Sequence, residues 1–146
     1  MARAHASTVI NAPIRDVWAH IRDFNGLDDW HPGIKSSVIE DGGPSDRVGC
    51  LRRMELQDGG VIREQLLELS DLGFHYSYSI LESPMPVVNY RATLRLRRIS
   101  DGNRTMAEWS ASFDVDPPEK QGDVENMIST AIFQGGFDAI KAHFGG

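Results

Sequence analysis

The sequence predicts an α+β domain in which a strongly curved antiparallel sheet is covered by one long C-terminal helix. Three observations carry this. Segments that alternate apolar and polar residues follow one another from residue 34 to residue 115, separated by turn-forming residues. One or two short helices interrupt the strands, directly after the first. The remainder, from about Lys120 to Phe144, has a helical period. Consecutive strands pair as antiparallel neighbours, and a single long amphipathic helix must then cover one face of the sheet. At 146 residues the chain fits one domain, 1-146, with a sizeable core.

The first strand is "AHASTVI", residues 4 to 10, which alternates and ends in β-branched residues. In "NAPIRDVWAHIRDF", Ile14, Val17, Trp18 and Ile21 fall on one helical face. Pro13 suits the first turn, and Asn11 is placed to help cap it. "FNGLDDWHPGI", residues 24 to 34, is rich in turn formers, yet it carries Leu27, Trp30 and His31. A large indole in a polar connection belongs to a core or a pocket.

The strands "IKSSVIE", "VGCLRRMEL" and "VIREQLLEL" come next. The last two form a hairpin around Gln57-Asp58-Gly59-Gly60. "FHYSYSILE" places Phe74, Tyr76, Tyr78 and Ile80 on one face. "VVNYRATLRLRRI" sets Tyr90, Ala92, Leu94 and Leu96 against Asn89, Arg91, Thr93, Arg95 and Arg97. "RTMAEWSASFDV" groups Ala107, Trp109, Ala111 and Phe113. Pro117-Pro118 stops the sheet. Along the final helix Val124, Ile128, Ala131, Ile132, Phe137, Ile140 and Phe144 mark the apolar face. Gly135-Gly136 inside it predicts a kink or a close approach to the sheet.

Composition excludes several classes. A formal net charge of −6 disfavours a phosphate-backbone binder, and alternate strand positions explain the basic run Arg95, Arg97 and Arg98. Cys50 is the single cysteine, so neither an intrachain disulfide nor a cysteine-based zinc site is expected. His5, His20, His31, His75 and His143 lack metal-ligand spacing. The N-terminus has no signal-peptide pattern and no segment reaches membrane-spanning length, which predicts a cytoplasmic protein.

The element order and the stretches "INAPIRDVWAHIRDFNGLDDWHPGI", "DGGVIREQLLEL", "FHYSYSILESPMPVVNY" and "AEWSASF" resemble the START-like or SRPBCC superfamily, in its bacterial polyketide cyclase/dehydrase-like branch. With the C-terminal helix, the resemblance covers nearly the whole chain. It implies the helix-grip fold: a seven-stranded antiparallel sheet wrapped around the long helix, two short helices after strand 1, and an internal cavity. It also implies a cavity that binds a hydrophobic or aromatic small molecule, or that hosts cyclisation, dehydration or condensation, usually with no metal or organic cofactor. A third class, the protein-interaction module, also occurs in the superfamily. The expected partner is thus a small apolar molecule, with the chain a monomer or a homodimer.

The candidate ligand-binding residues are Trp30, His31, Arg52, Glu64, Tyr76, Tyr78, Tyr90 and Trp109. In this fold Trp30 and His31 are expected to line or gate the entrance, with Pro32 fixing the turn. Glu64 shares parity with Ile62 and Leu66, whereas Val61, Leu67 and Leu69 make the other face apolar too. The family pattern places the Glu of "REQL" in the cavity. A three-residue hairpin loop would set Glu64 across from Met54 with Arg52 diagonal to it; a two-residue loop would face it with Arg53. An inward Glu64 needs a partner, and Arg52 is the one expected. Tyr78, Tyr90 and Trp109 lean inward on neighbouring strands, with Tyr76 nearer the rim; a tyrosine's apolar body and polar tip suit a pocket wall. Pro84 and Pro86 stiffen a loop that serves as a lid or as a rigid connection. For catalysis, Glu64 and His31 are the acid–base candidates, in a cofactor-independent lyase or cyclase.

Overall fold

Alternation of side chains sets the sheet in a computed structural model that describes residues 1–145. The strands are β1 (Ala2–Ile10), β2 (Ile34–Ile39), β3 (Leu51–Leu56), β4 (Val61–Ser70), β5 (His75–Glu82), β6 (Val87–Ile99) and β7 (Arg104–Val115). They pair antiparallel in the order β1-β7-β6-β5-β4-β3-β2. The first two strands are therefore the two edges. Between them run α1 (Ile14–Ile21), a 3-10 turn (Phe24–Gly26) and α2 (Leu27–Trp30). Helix α1 buries the four residues its spacing predicts: Ile14, Val17, Trp18 and Ile21. Its N-cap position is Pro13, and no side chain caps it, so the expected help from Asn11 is absent.

The β1 edge is covered. Its Arg3 N–H donates to Glu125 Oε2 at 2.8 Å and its His5 N–H to Ser129 Oγ at 3.1 Å, both from the C-terminal helix. Open edges invite pairing with other chains, and these side chains occupy this one. The outer face of the sheet carries ion pairs, among them Arg63–Glu40 at 2.8 Å and Arg97–Glu108 at 3.1 Å. Among the described residues no helix is long and apolar enough to cross a membrane.

The C-terminal helix is continuous but not uniform. It comprises α3 (Gln121–Met127), a π-helical segment (Ile128–Gln134) and α4 (Gly135–His143). A π segment adds a residue to the turn. Val124 is buried before it, Ile128 and Phe133 within it, and Phe137 and Ile140 after it. The step from Ile128 to Phe133 is five residues, which a regular α-helix would send to another face. The sequence pattern places Ala131 and Ile132 on the inner face. Both do face the sheet, Ala131 exposed and Ile132 half-buried because a cavity separates them from it, and the buried Phe133 stacks on Trp109 with ring centroids 4.6 Å apart. Gly136 answers the glycine question as a close approach: a Cβ there would lie 2.9 Å from both His31 Cδ2 and Trp109 Cζ3.

Candidate functional site

Between the concave face of the sheet and the C-terminal helix lies a cavity of about 570 Å³. That is within the range of small-molecule sites. Its sheet wall is Met54, Ile62, Glu64, Tyr78, Ile80, Tyr90 and Trp109. Its helix wall is Met127, Ala131 and Ile132. Leu27, His31, Gly33 and Ile34 close one side, and Gln57, Asp58 and Pro84-Met85-Pro86 form the mouth. The two mouth loops touch, since a Cβ on Gly60 would lie 3.4 Å from Pro84 Cγ.

Glu64 is the charged group on the sheet wall. The β3–β4 hairpin turns through Gln57, Asp58 and Gly59, with Gly59 at φ +93°, a conformation that glycine adopts without strain. The resulting register pairs Arg52 with Glu64 and Met54 with Ile62. Neither register alternative, Met54 or Arg53 across from Glu64, holds; Arg52 is the partner, as its direct neighbour rather than its diagonal one. Arg52 Nε donates to Glu64 Oε1 at 2.8 Å and Arg52 Nη2 to the same oxygen at 2.6 Å. Arg52 Nη1 donates to the Phe24 carbonyl. The guanidinium also lies over the Phe24 ring, 3.8 Å from its centroid. Burial pushes the Glu64 carboxyl up and the guanidinium pulls it back. A buried arginine stays charged, so protonating Glu64 would strand a lone cation. Both donors converge on Oε1, and among the described residues no side chain or backbone N–H donates to Oε2.

His31 is held at both nitrogens. The Gly33 N–H donates to Nδ1 at 3.0 Å, so Nδ1 is unprotonated; Nε2 carries the hydrogen and donates to the Ile132 carbonyl at 2.7 Å. Burial lowers its basicity. The ring ties α2 to the π segment and has no free nitrogen for proton transfer. A second histidine, His20, stacks on His143 with centroids 3.9 Å apart, and burial lowers its basicity as well.

Both histidines therefore bind protons more weakly folded than unfolded. The unfolded chain takes up protons as pH drops below the usual histidine value of 6.5, so their contribution is present above that pH and is lost below it. Urea midpoints between pH 7.5 and 5 are expected to fall with pH. The slope should flatten in the variant carrying His20→Gln and His31→Gln.

Trp109 Nε1 donates to the Tyr78 hydroxyl at 3.1 Å, and Tyr78 and Tyr90 stand 6.5 Å apart by ring centroid. Burial raises both phenols well above their usual range, so they stay protonated.

Three of the expected residues do not line the cavity. Trp30 lies behind Trp109, 6.0 Å between ring centroids, under Gly136, because the four-residue α2 turns the indole into the core. Arg52 stands behind Glu64. Tyr76 packs on Trp18 and Phe24 at the closed end, not at the rim, because the mouth lies at the other end of β5. The sequence reading missed Met54, Met127, Gln57 and Asp58. The parity of Met54 with Arg52 was a usable signal for the first; helix phase hid the second. Cys50 is buried with Sγ 3.6 Å from the Ser45 carbonyl, and burial pushes its thiol up.

Comparison with known proteins places this geometry among relatives. Residues 1–145 match the family described as polyketide cyclase/dehydrase and lipid transport. The protein XoxI from Bacillus cereus is 31% identical, with a TM-score of 0.86 over 99% of this chain and 96% of that one. An uncharacterized protein from Bacillus thuringiensis is 32% identical, with a TM-score of 0.81 over 98% of each chain. A START superfamily protein from Mycobacterium smegmatis, 13% identical, shares the fold at a TM-score of 0.77 over 99% of this chain and 97% of that one. No curated protein matches the chain.

Proposed function

The chain belongs to the polyketide cyclase/dehydrase and lipid transport family, and from that premise we propose that it binds a hydrophobic or aromatic small molecule between the sheet and the C-terminal helix. The observation that carries this is the cavity itself, about 570 Å³ and walled chiefly by Met, Ile, Pro and aromatic side chains. Filling it removes apolar surface from water on both partners, and burial of that kind drives association. Three methionines, Met54, Met85 and Met127, give the wall a flexible lining that adapts to ligand shape.

A second reading, a cofactor-independent cyclase or dehydratase, is favoured by one feature: Glu64 Oε2. A carboxylate oxygen without a donor, inside an apolar cavity, is placed to take a proton from a substrate, with Tyr78 and Tyr90 to hydrogen-bond a developing oxyanion. His31 takes no part in that scheme.

Nile red, a neutral dye that brightens in apolar surroundings, tests the binding reading. One-to-one saturable binding is expected, weakened at least tenfold in Ala131→Trp, which places an indole at an exposed position of the cavity wall. Unsaturable fluorescence, equal in both proteins, would sink it.

A further inference from the structure

We infer that the ligand is neutral and presents a hydrogen-bond donor, a hydroxyl or an N–H, to Glu64 Oε2, and that anionic headgroups are excluded from the cavity. This rests on the binding reading above and names the ligand class of the same site.

The charges around the cavity decide the point. Among the described residues that line it, Glu64 inside and Asp58 at the mouth carry formal charge, both negative, and none is a lysine or arginine. Arg52, the cation paired with Glu64, is fully buried and stands behind it, outside the cavity lining. Its Nε and Nη2 go to Glu64 Oε1, its Nη1 goes to the Phe24 carbonyl, and the Phe24 ring covers a face. A carboxylate, sulfate or phosphate entering the cavity would meet Glu64 with no free guanidinium to neutralise it. The Arg52–Glu64 pair is neutral as a whole, so the anion would be an unmatched buried charge whose nearer neighbour is the carboxylate and not the guanidinium behind it.

The same arrangement disfavours a cation. The charge of Glu64 is already balanced by Arg52, so an ammonium would be an unmatched buried charge. What remains unmet is hydrogen bonding. When an apolar body displaces water from the cavity, Oε2 loses its hydration, and a ligand without a donor leaves it bare. A ligand with a donor restores the bond to a charged acceptor, the stronger class of hydrogen bond. The site thus discriminates by a single ligand atom, as sites built around a buried polar group do.

Three compounds with one apolar body test this: 2-naphthol, 2-methoxynaphthalene and 2-naphthyl sulfate, each used to displace Nile red. Apolarity alone ranks the methyl ether first. The expected result reverses that order, with 2-naphthol tighter than the ether by about 10- to 100-fold and the sulfate failing to compete. In Glu64→Gln the amide oxygen still accepts from Arg52 and the NH₂ faces the cavity, so the naphthol preference should shrink to roughly threefold or invert. Equal competition by naphthol and ether, or effective competition by the sulfate, would overturn the inference while saturable Nile red binding upholds the binding reading. Failure of Nile red and all three naphthalenes to bind removes the binding reading and the inference together.

Discussion

Arg52→Met is expected to destabilise the protein by about 3–5 kcal/mol, the range for breaking a buried ion pair from one side. Arg52 is fully buried and Glu64 is 5% exposed, so the stranded carboxylate loses both donors to Oε1 and keeps only the narrow contact with cavity water at Oε2. Methionine fills much of the arginine's volume, which separates the loss of charge from the loss of packing. The deficit should shrink as pH falls toward the ordinary carboxyl range, because protonation neutralises the stranded group while the unfolded chain is still charged. Adding Glu64→Leu should recover much of the loss, since an apolar pair of similar size can replace a buried ion pair at little cost. Urea unfolding of the two variants reads all three effects. A single variant within about 1 kcal/mol of the parent would mean the pair is solvated and the account of the cavity wrong.

Trp30→Ala should behave as a core deletion and not as a gate. The indole is 7% exposed, lies behind Trp109 and sits 3.2 Å from where a Gly136 Cβ would be. Emptying such a packed aromatic site costs about 3–5 kcal/mol. Nile red affinity, measured where the variant remains folded, should change by less than about threefold, because the cavity wall in front of it is Trp109. Intact stability with lost affinity would restore the gating role. The polar stretch around Trp30 thus carries an indole because α2 is a short plug inserted under the C-terminal helix.

Much of this fold is legible in the sequence. Strands β6 and β7 lie where alternation places them, since long two-sided strands with one polar face have only one workable phase. The inward direction of Glu64 follows from the family resemblance, since parity leaves both faces of β4 open: Val61, Leu67 and Leu69 are apolar too. What sits beside it does not, because a two-residue error in loop geometry moves the partner from Arg52 to Met54. The helix shows the opposite lesson. Its apolar residues from Val124 to Ile140 do not obey a single α-helical phase, and the five-residue step from Ile128 to Phe133 is itself the signature of the π segment. Cavity membership was the least legible feature. It depends on sheet curvature and on how deep α2 inserts, which no local pattern of residues encodes. Trp30, Arg52 and Tyr76 have the residue types of a pocket wall and stand one layer behind it.

The binding site in the cavity is the central claim, and methyl NMR during a Nile red titration tests it most directly. The prediction is saturable shifts at the Met54, Met85 and Met127 methyls and at Ile62 and Ile132, all on the cavity wall, with the fully exposed Leu72 unmoved. Shifts confined to Leu72 and other surface methyls, with the cavity methionines silent at saturation, would contradict it.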